Sequence, residues 1–279
     1  MQTKWLISEM GGTTYQDGCD ALKNALKRQG IEYKIAEDDH FLSETTYLNL
    51  FRPEDCVVFI GSLEFAEKVK AAAKRVPGVY HNVPAFECTY YYPRLGQYLL
   101  NDNYIMIPYG ELLRQKEFLY EHVGNQDVVF IRPNTGSKLF TGRPVYREHY
   151  EKDVERTLGF YDVQPEALVV VAEPQNLDGE WRFIAVEGRI VTGSQYRNKL
   201  GPKIHEDYPQ EAFDLASEIA SKFQPDPVYC VDICYREHYN DYRLLEVGCF
   251  SCAGLYACDK DVIAEEVSQL AWKEWKEKK

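Results

Sequence analysis

The sequence has no hydrophobic run long enough to cross a membrane. Its longest apolar stretches, Val57–Ile60 and 167–172, are far shorter than the roughly 20 residues that a spanning helix needs. The opening residues, MQTKWLISEMGG, have neither the apolar core nor the small-residue cleavage site of a secretion signal. We therefore expect a cytoplasmic protein with no membrane partner.

Positive charge is also scarce. Lys and Arg number 32 against 44 Asp and Glu, which gives a formal net charge of −12. A protein that coats nucleic acid needs clustered Lys and Arg to contact phosphates, so the composition disfavours that class. A local basic pocket could still hold a nucleotide or a small nucleic-acid site.

Two common catalytic signatures are missing. The chain contains no Gly-Lys-Ser/Thr of the Walker A type. It also shows no convincing Ser-His-Asp or Cys-His arrangement, and its six histidines are scattered. Covalent catalysis by a side-chain nucleophile is therefore not expected.

Cysteine, in contrast, is plentiful. Five of the eight cysteines fall in the last fifty residues, and Cys249-Phe-Ser-Cys252 has the spacing of a zinc site. Cys230 and Cys234 lie in a predicted strand, and no glycine follows Cys252 as in a zinc knuckle. We expect reduced, buried thiols, with zinc as the alternative and a disulfide as the least favoured interpretation.

The element pattern predicts an α/β unit followed by a two-lobed α+β module with antiparallel sheets. Strands alternate with helices over residues 1–95, which predicts a parallel sheet. Residues 96–279 predict lobes at about 96–172 and 173–279, including a hairpin around Gly188 and an antiparallel pair at 228–235 and 242–247. The cleft between two such lobes is a natural ligand site.

Arg132 and the loop 135–142 form the first group with possible chemistry. The loop contains two glycines, three hydroxyl side chains and Lys138, so it could aim backbone N–H groups and positive charge at a phosphate. Taken alone, the same composition also fits a solvated turn.

Asp232 and Glu246 form the second group. Each interrupts an apolar run on one of two neighbouring predicted strands. A carboxylate there is costly unless it is paired or binds a metal, and two of them suit Mg2+. The alternative is an ion pair with an arginine such as Arg243 or Arg182.

Three further residues are weaker candidates. Glu180 and Arg182 share one face of a strand, where an arginine could anchor a carboxylate or a phosphoryl group; a surface ion pair is the alternative. Glu173 follows a strand directly and could accept a hydrogen bond from adenine, although an ordinary strand end before a proline explains it equally simply.

Taken in order, these stretches resemble the ATP-grasp superfamily. They look closest to a clade known mainly from phage and bacterial sequences and named for two arginines and a lysine. The matching stretches are 130–133 (FIRP), 137–142 (SKLFTG), 179–183 (GEWRF), 188–191 (GRIV), 193–196 (GSQY), 231–232 (VD), 245–246 (LE) and 251–256 (SCAGLY).

This resemblance implies an enzyme that holds ATP and Mg2+ between two lobes. Its implied cofactor-binding residues are Arg132, Ser137, Lys138, Thr141, Glu173 and Glu180. Asp232 and Glu246 would hold the metal, and Arg182 and Lys138 would act at the transferring phosphoryl group. Many members carry an Asn two residues after the last metal-binding Glu, whereas this chain has Gly248 there.

The implied reaction is ligation of a carboxylate to an amine, or another nucleophile, through an acyl phosphate. Expected substrates are small-molecule or peptide carboxylates and amines; a nucleic-acid substrate is less favoured by the charge. A non-catalytic ATP-binding module and a phosphotransferase are the alternatives. The aromatic run Tyr90-Tyr91-Tyr92 could stack a ring but is more typical of a core. The oligomeric state stays open.

Overall fold

The computed structural model describes residues 3–9, 13–37, 50–52, 54–72, 78–136, 139–161 and 163–278. Strands in these ranges are β1 Thr3–Glu9, β2 Tyr33–Glu37, β3 Cys56–Ile60, β4 Tyr104–Pro108, β5 Val128–Pro133, β6 Arg143–Tyr146, β7 Leu168–Ala172, β8 Gly179–Val186, β9 Arg189–Asn198, β10 Gly201–His205, β11 Val228–Arg236 and β12 Asp241–Cys249. Helices are α1 Thr13–Arg28, α2 Leu63–Ala72, α3 Cys88–Leu95, α4 Lys116–His122, α5 Tyr150–Tyr161, α6 Gln210–Lys222 and α7 Lys260–Glu277. The predicted fold class is confirmed.

The first sheet is parallel, in the order β2-β1-β3. Its strand β3 is buried at every position, as expected where both faces of a parallel sheet are covered. Phe65 on α2 packs against one face, and Leu22 on α1 belongs to the core on the other. The alternation of strands and helices therefore folds as the sequence predicts.

The second sheet is antiparallel, in the order β4-β7-β5-β6. Valines of β7 and alternate residues of β5 face a core that Tyr120 of α4 and Tyr150 of α5 complete. Each of these buried hydroxyls donates to a backbone carbonyl, which removes the cost of an unpaired polar group.

The third sheet is antiparallel, in the order β10-β9-β8-β11-β12. One face packs on α6 and on α3, so Tyr91 and Tyr92 are core residues and cannot stack a ligand. Only Tyr90 of that run is exposed, and the Arg94 guanidinium lies 3.8 Å from its ring centroid.

The opposite face of the third sheet shares a core with helix α7 and the first sheet. Trp5 of β1, Cys230 of β11 and Ile263 of α7 belong to this one cluster. Asp259 begins the helix by accepting hydrogen bonds from the amides of Asp261 and Val262. The C-terminal helix therefore fastens the first sheet to the third. No helix in the described ranges is long and apolar enough to span a membrane.

Candidate active site

Three ionisable residues form a row across the third sheet. Asp232 on β11 lies opposite Arg182 on β8 and opposite Glu246 on β12. Residues opposite one another in a sheet point to the same face, so the three side chains emerge side by side. Ser194 extends the row on β9, where it is fully buried opposite Arg182.

A β-bulge places Glu246 in this row. Strand β12 pairs Glu246 with Asp232 and Leu244 with Ile233, so Leu245 is an extra residue without a cross-strand partner. Bulges rotate the following side chain and are frequent beside active sites. The extra residue therefore sets which face of the sheet Glu246 occupies.

Arg182 and Asp232 form a two-pronged ion pair. Arg182 Nε donates to Asp232 Oδ1 at 2.8 Å, and Nη2 donates to Oδ2 at 2.6 Å. Asp232 is only 1% exposed. Burial alone would lower the pKa of Arg182, but the adjacent Asp232 carboxylate raises it by more, so the guanidinium stays charged. A third bond, from Nη1 to the carbonyl of Gly254 at 3.1 Å, fixes its orientation.

Two tyrosine rings enclose the same guanidinium. Tyr196 and Tyr256 stack with centroids 4.9 Å apart, and the Arg182 guanidinium carbon lies 5.7 Å and 5.2 Å from them. Cation–π attraction adds to the ion pair here. Tyr256 has φ of +44°, a left-handed conformation that costs a non-glycine residue roughly 1–3 kcal/mol and that clusters at functional sites.

Glu180 lies next to this group. Burial raises its pKa above the ordinary value, against the opposing effects of a hydrogen bond from Tyr196 and the nearby charge of Arg197. Its Oε1 lies 3.5 Å from Arg197 Nε, while Arg182 is taken by Asp232. The alternative of an exposed Glu180–Arg182 surface pair is therefore wrong, because both side chains are largely covered.

Arg132 joins the two antiparallel sheets. From β5 of the second sheet its Nη2 donates to Glu246 Oε2 on β12 at 3.0 Å, and its Nη1 approaches the Leu245 carbonyl at 3.4 Å. The Glu246 side chain is 42% exposed, so this bridge lies at the open edge of the row.

The loop that follows Arg132 is anchored at its end. Phe140 is buried against Tyr109, with ring centroids 5.8 Å apart. A Cβ at Gly142 would lie 3.0 Å from Arg132 Cβ, so glycine allows the loop to pass directly over the strand. Thr141 is exposed. Ser137 and Lys138 lie outside the described residues.

Residues 89–267 match the model of a protein family described as an ATP-grasp domain, the third family of its clade. The chain belongs to this family. Its membership confirms the predicted superfamily and the predicted enzyme class, an ATP-dependent ligase of the ATP-grasp type. No curated protein matches the chain.

Solved ATP-grasp structures share the whole architecture. The chain resembles D-cycloserine synthetase DcsG with a TM-score of 0.67 and 14% identity, over 96% of this chain and 99% of that one. It resembles D-alanine–D-alanine ligase from Bacillus anthracis, complexed with ATP, with a TM-score of 0.61 and 10% identity over 100% of both chains. N5-carboxyaminoimidazole synthetase from Staphylococcus aureus gives a TM-score of 0.57 and 12% identity, over 96% and 77%.

The predicted metal residues of this ATP-grasp chain are adjacent, and each is paired with an arginine. Of the two arginines named as possible partners, Arg182 does bind Asp232, whereas Arg243 Nε contacts Asp241 at 2.7 Å. A divalent ion would share Glu246 with Arg132 or displace it. The exposure of Glu246 and its position opposite Asp232 fit a hard oxygen-ligand site that is open on one side.

Other predicted residues surround the row at greater remove. Glu173 is half-buried at the start of the segment 173–178, which connects the second sheet to the third. The sequence patterns assigned no role to Tyr196 or Tyr256, although both lie in the stretches that resemble the superfamily. Their stacking depends on β9 and on the loop after β12 coming together, and no local pattern reports that.

Proposed function

We propose that this ATP-grasp protein uses ATP and Mg2+ to join a carboxylate to an amine through an acyl phosphate. The observation that supports this most is the Arg132–Glu246 bridge. It brings a guanidinium of the second sheet onto the Arg182–Asp232–Glu246 row of the third. Two cations and two carboxylates converge between the two sheets, as a phosphoryl-transfer site requires.

The nucleotide would lie between these sheets. Arg132 is positioned to contact phosphate oxygens, together with Ser137, Lys138 and Thr141 of the loop 135–142. Glu173, in the connection between the sheets, would accept the hydrogen bond of the adenine amino group. Glu180 is close to the row and would complete the nucleotide site.

Glu246 and Asp232 would hold Mg2+, which neutralises charge on the phosphates when it is bound. Glu246 is the more accessible ligand, because its side chain reaches the open edge and only one of its oxygens binds Arg132. Asp232 would offer the lone pairs that Arg182 does not use. Binding of MgATP would therefore transfer Arg132 from Glu246 to the phosphates.

The reaction would proceed in two displacements. A substrate carboxylate oxygen attacks the γ-phosphorus, and ADP leaves with its bonding electrons. The amine nitrogen then attacks the acyl carbon and loses a proton, and inorganic phosphate leaves with the oxygen that came from the carboxylate. Arg182, held rigidly by Asp232 and the two tyrosines, would stabilise charge on the transferring group. The loop 135–142 would exclude water from the acyl phosphate.

The substrates would be small-molecule or peptide carboxylates and amines. Two of the similar structures are a D-cycloserine synthetase and a D-alanine–D-alanine ligase, so amino acids of both configurations are the first compounds to test. The net charge of −12 makes a nucleic-acid acceptor the less favoured choice.

Isotope transfer tests this mechanism. The purified protein would be screened with MgATP and pairs of carboxylates and amines for release of ADP. With an active pair, a carboxylate labelled with oxygen-18 should place one label in the released phosphate. Unlabelled phosphate, formed while the amide product accumulates, would rule out the acyl phosphate.

A non-catalytic ATP-binding module is the second candidate. Two observations favour it: Gly248 supplies no ligand beside Glu246, and both oxygens of Asp232 are held by Arg182. Such a module would bind MgATP without releasing ADP with any substrate pair. A phosphotransferase, in contrast, would release ADP and retain the phosphate on its acceptor.

The domain division is part of the proposal. Residues 1–95 would form the unit that precedes the ATP-grasp module, and residues 96–279 the module, with lobes at about 96–172 and 173–279. The cleft between the lobes would face the cytoplasm of the host cell, where ATP is available. Helix α3, which lies before the proposed boundary, packs on the third sheet.

A further inference from the structure

A second cluster of ligating side chains lies outside the ATP-grasp site. It consists of His81, Cys249 and Cys252, whose potential ligand atoms all lie within 4.8 Å of one another. Cys252 Sγ and His81 Nδ1 are 3.9 Å apart. The proposed ligase chemistry uses none of these residues.

The cluster is built on a rigid turn. Residues Phe250–Cys252 form one turn of 3-10 helix, which brings the two cysteines of the Cys-x-x-Cys sequence to the same side. Ser251, between them, is fully buried and binds the residue beside His81. Its amide donates to the carbonyl of Tyr80 at 3.1 Å, and its Oγ accepts from the Tyr80 amide at 2.9 Å. The backbone therefore holds all three ligands in place.

His81 is buried and incompletely satisfied. It is 3% exposed, and its Nε2 has no hydrogen-bond partner among the described residues. The nearest carboxylate oxygen recorded for it, Glu67 Oε1, lies 3.8 Å away, beyond hydrogen-bond distance. A histidine that binds a metal through one nitrogen usually directs the other N–H towards a carboxylate or carbonyl. A small shift of Glu67, which is on the surface, would complete that arrangement.

We propose that Cys249 Sγ, Cys252 Sγ and His81 Nδ1 bind one zinc ion, with a fourth position left for water or another donor. Zinc–sulfur and zinc–nitrogen bonds of about 2.3 and 2.0 Å in a tetrahedron place sulfur and nitrogen about 3.6 Å apart. The observed separation of 3.9 Å is close to this value. Two thiolates and an imidazole favour zinc over the hard magnesium ion of the ATP site.

The cluster connects two parts of the chain. Cys249 ends β12, three residues after Glu246, whereas His81 follows the first sheet, and the Gly61 amide of that sheet donates to the Ser251 carbonyl at 2.8 Å. Bound zinc would cross-link these parts and fix the end of the strand that carries Glu246. The site is therefore structural, and its loss should lower thermal stability before it alters the chemistry.

A disulfide is the competing state of the same two cysteines. Both thiols are free in the structure, and a disulfide would leave the buried His81 without a function. Counting thiols in the denatured, unreduced protein distinguishes the states. Eight reactive thiols agree with zinc binding, because the denatured chain releases its metal; six would show that a disulfide formed and would overturn the proposal.

The test is metal analysis of the full chain. We expect about one zinc ion per chain after purification without chelators, and cobalt substitution should give the thiolate charge-transfer and tetrahedral d–d absorption bands. Cys252→Ser and His81→Gln should lose the metal, whereas Cys19→Ser, a buried cysteine outside the cluster, should retain it. Cobalt titration of the natural chain decides the matter even if a variant fails to fold.

Three results would overturn the zinc site. These are a natural chain that binds neither zinc nor cobalt, a cobalt spectrum without thiolate bands, and full zinc content in Cys252→Ser. None of them bears on ATP binding, so this inference and the proposed function can fail separately.

Discussion

Arg132 reaches from the second sheet to Glu246 on the third, with 3.0 Å between Nη2 and Oε2. This contact links the two halves of the ATP-grasp module through the residues proposed to receive phosphate and metal. An exposed ion pair of this kind contributes little to stability, typically below about 1 kcal/mol, so it is easily exchanged. Phosphate oxygens can replace Glu246 on Arg132, and Mg2+ can replace Arg132 on Glu246.

The Arg182–Asp232 pair should be needed for stability as well as for activity. Arg182→Met leaves the Asp232 carboxylate buried and unpaired, and such a change costs roughly 3–5 kcal/mol. Denaturant unfolding would measure this loss. Arg243→Met, which removes a more exposed partner of Asp241, is the control and should cost about 1 kcal/mol or less.

A double variant separates the two roles of this pair. Arg182→Met with Asp232→Leu removes both buried charges, so it should recover most of the stability that Arg182→Met alone loses. It should not recover ligase turnover or MgATP binding. Recovery of activity together with stability would show that the pair only supports the fold.

Gly248 should accept a metal ligand. A Cβ at this position would meet no atom within 4 Å, and residue 248 lies two positions from Glu246 on the same strand face. Gly248→Asn should therefore fold normally and should tighten Mg2+-dependent ATP binding, by roughly threefold to tenfold for one added ligand to the ion. Calorimetry at several Mg2+ concentrations would measure the change.

Gly248→Ala is the matched control for this experiment. It adds the Cβ without an oxygen, so it should leave Mg2+ dependence as it is in the natural chain. An equal gain in both variants would indicate a backbone effect instead of metal ligation.

Glu180 should make stability fall as pH rises. Burial raises the pKa of Glu180 in the folded protein, so the unfolded chain releases this proton at lower pH than the folded chain does. The free energy of unfolding therefore decreases from the ordinary glutamate pKa of 4.5 up to the raised value. Glu180→Gln should flatten this slope in denaturant melts taken across that range.

The exposed residue Glu206 offers the comparison for the pH experiment. Glu206→Gln should leave the slope of the natural chain in place. An unchanged slope in Glu180→Gln would contradict the assignment of the pH effect to this carboxylate.

Lys138 should act on phosphates and not on adenine. Lys138→Ala should weaken ATP binding by about tenfold or more, as expected for one lost charge-assisted contact, and should leave AMP binding almost unchanged. Competition against a fluorescent nucleotide would measure both affinities. Equal losses for ATP and AMP would exclude the loop 135–142 from the phosphate site.

The strands and their residues were largely predictable from the sequence, but the contacts between side chains were not. The apolar run Cys56–Ile60 and the hairpin around Gly188 have local signals and were confirmed; Gly188 has the φ of +76° that such a turn needs. Asp232 and Glu246 were found because carboxylates are rare inside apolar strands. Their arginine partners depend on strand register, on the bulge at Leu245 and on the approach of two sheets.

The zinc ligands show the same limit more clearly. Cys249 and Cys252 are visible as a spaced pair, whereas His81 precedes Cys252 by 171 residues. No spacing rule connects them, because the third ligand arrives through the packing of the first sheet against the turn after β12. The reduced thiols expected from the sequence are what the structure shows.

Calorimetric titration with a non-hydrolysable ATP analogue, with and without Mg2+, tests the central claim most directly. It would be run on the natural chain, on Glu246→Gln and on Glu237→Gln, a control in the exposed turn between β11 and β12. We predict Mg2+-dependent binding that Glu246→Gln weakens by about tenfold or more, close to 1.4 kcal/mol, and that Glu237→Gln preserves. Binding that ignores Mg2+ in the natural chain, or that is unchanged in Glu246→Gln, would contradict a magnesium–ATP site on this row.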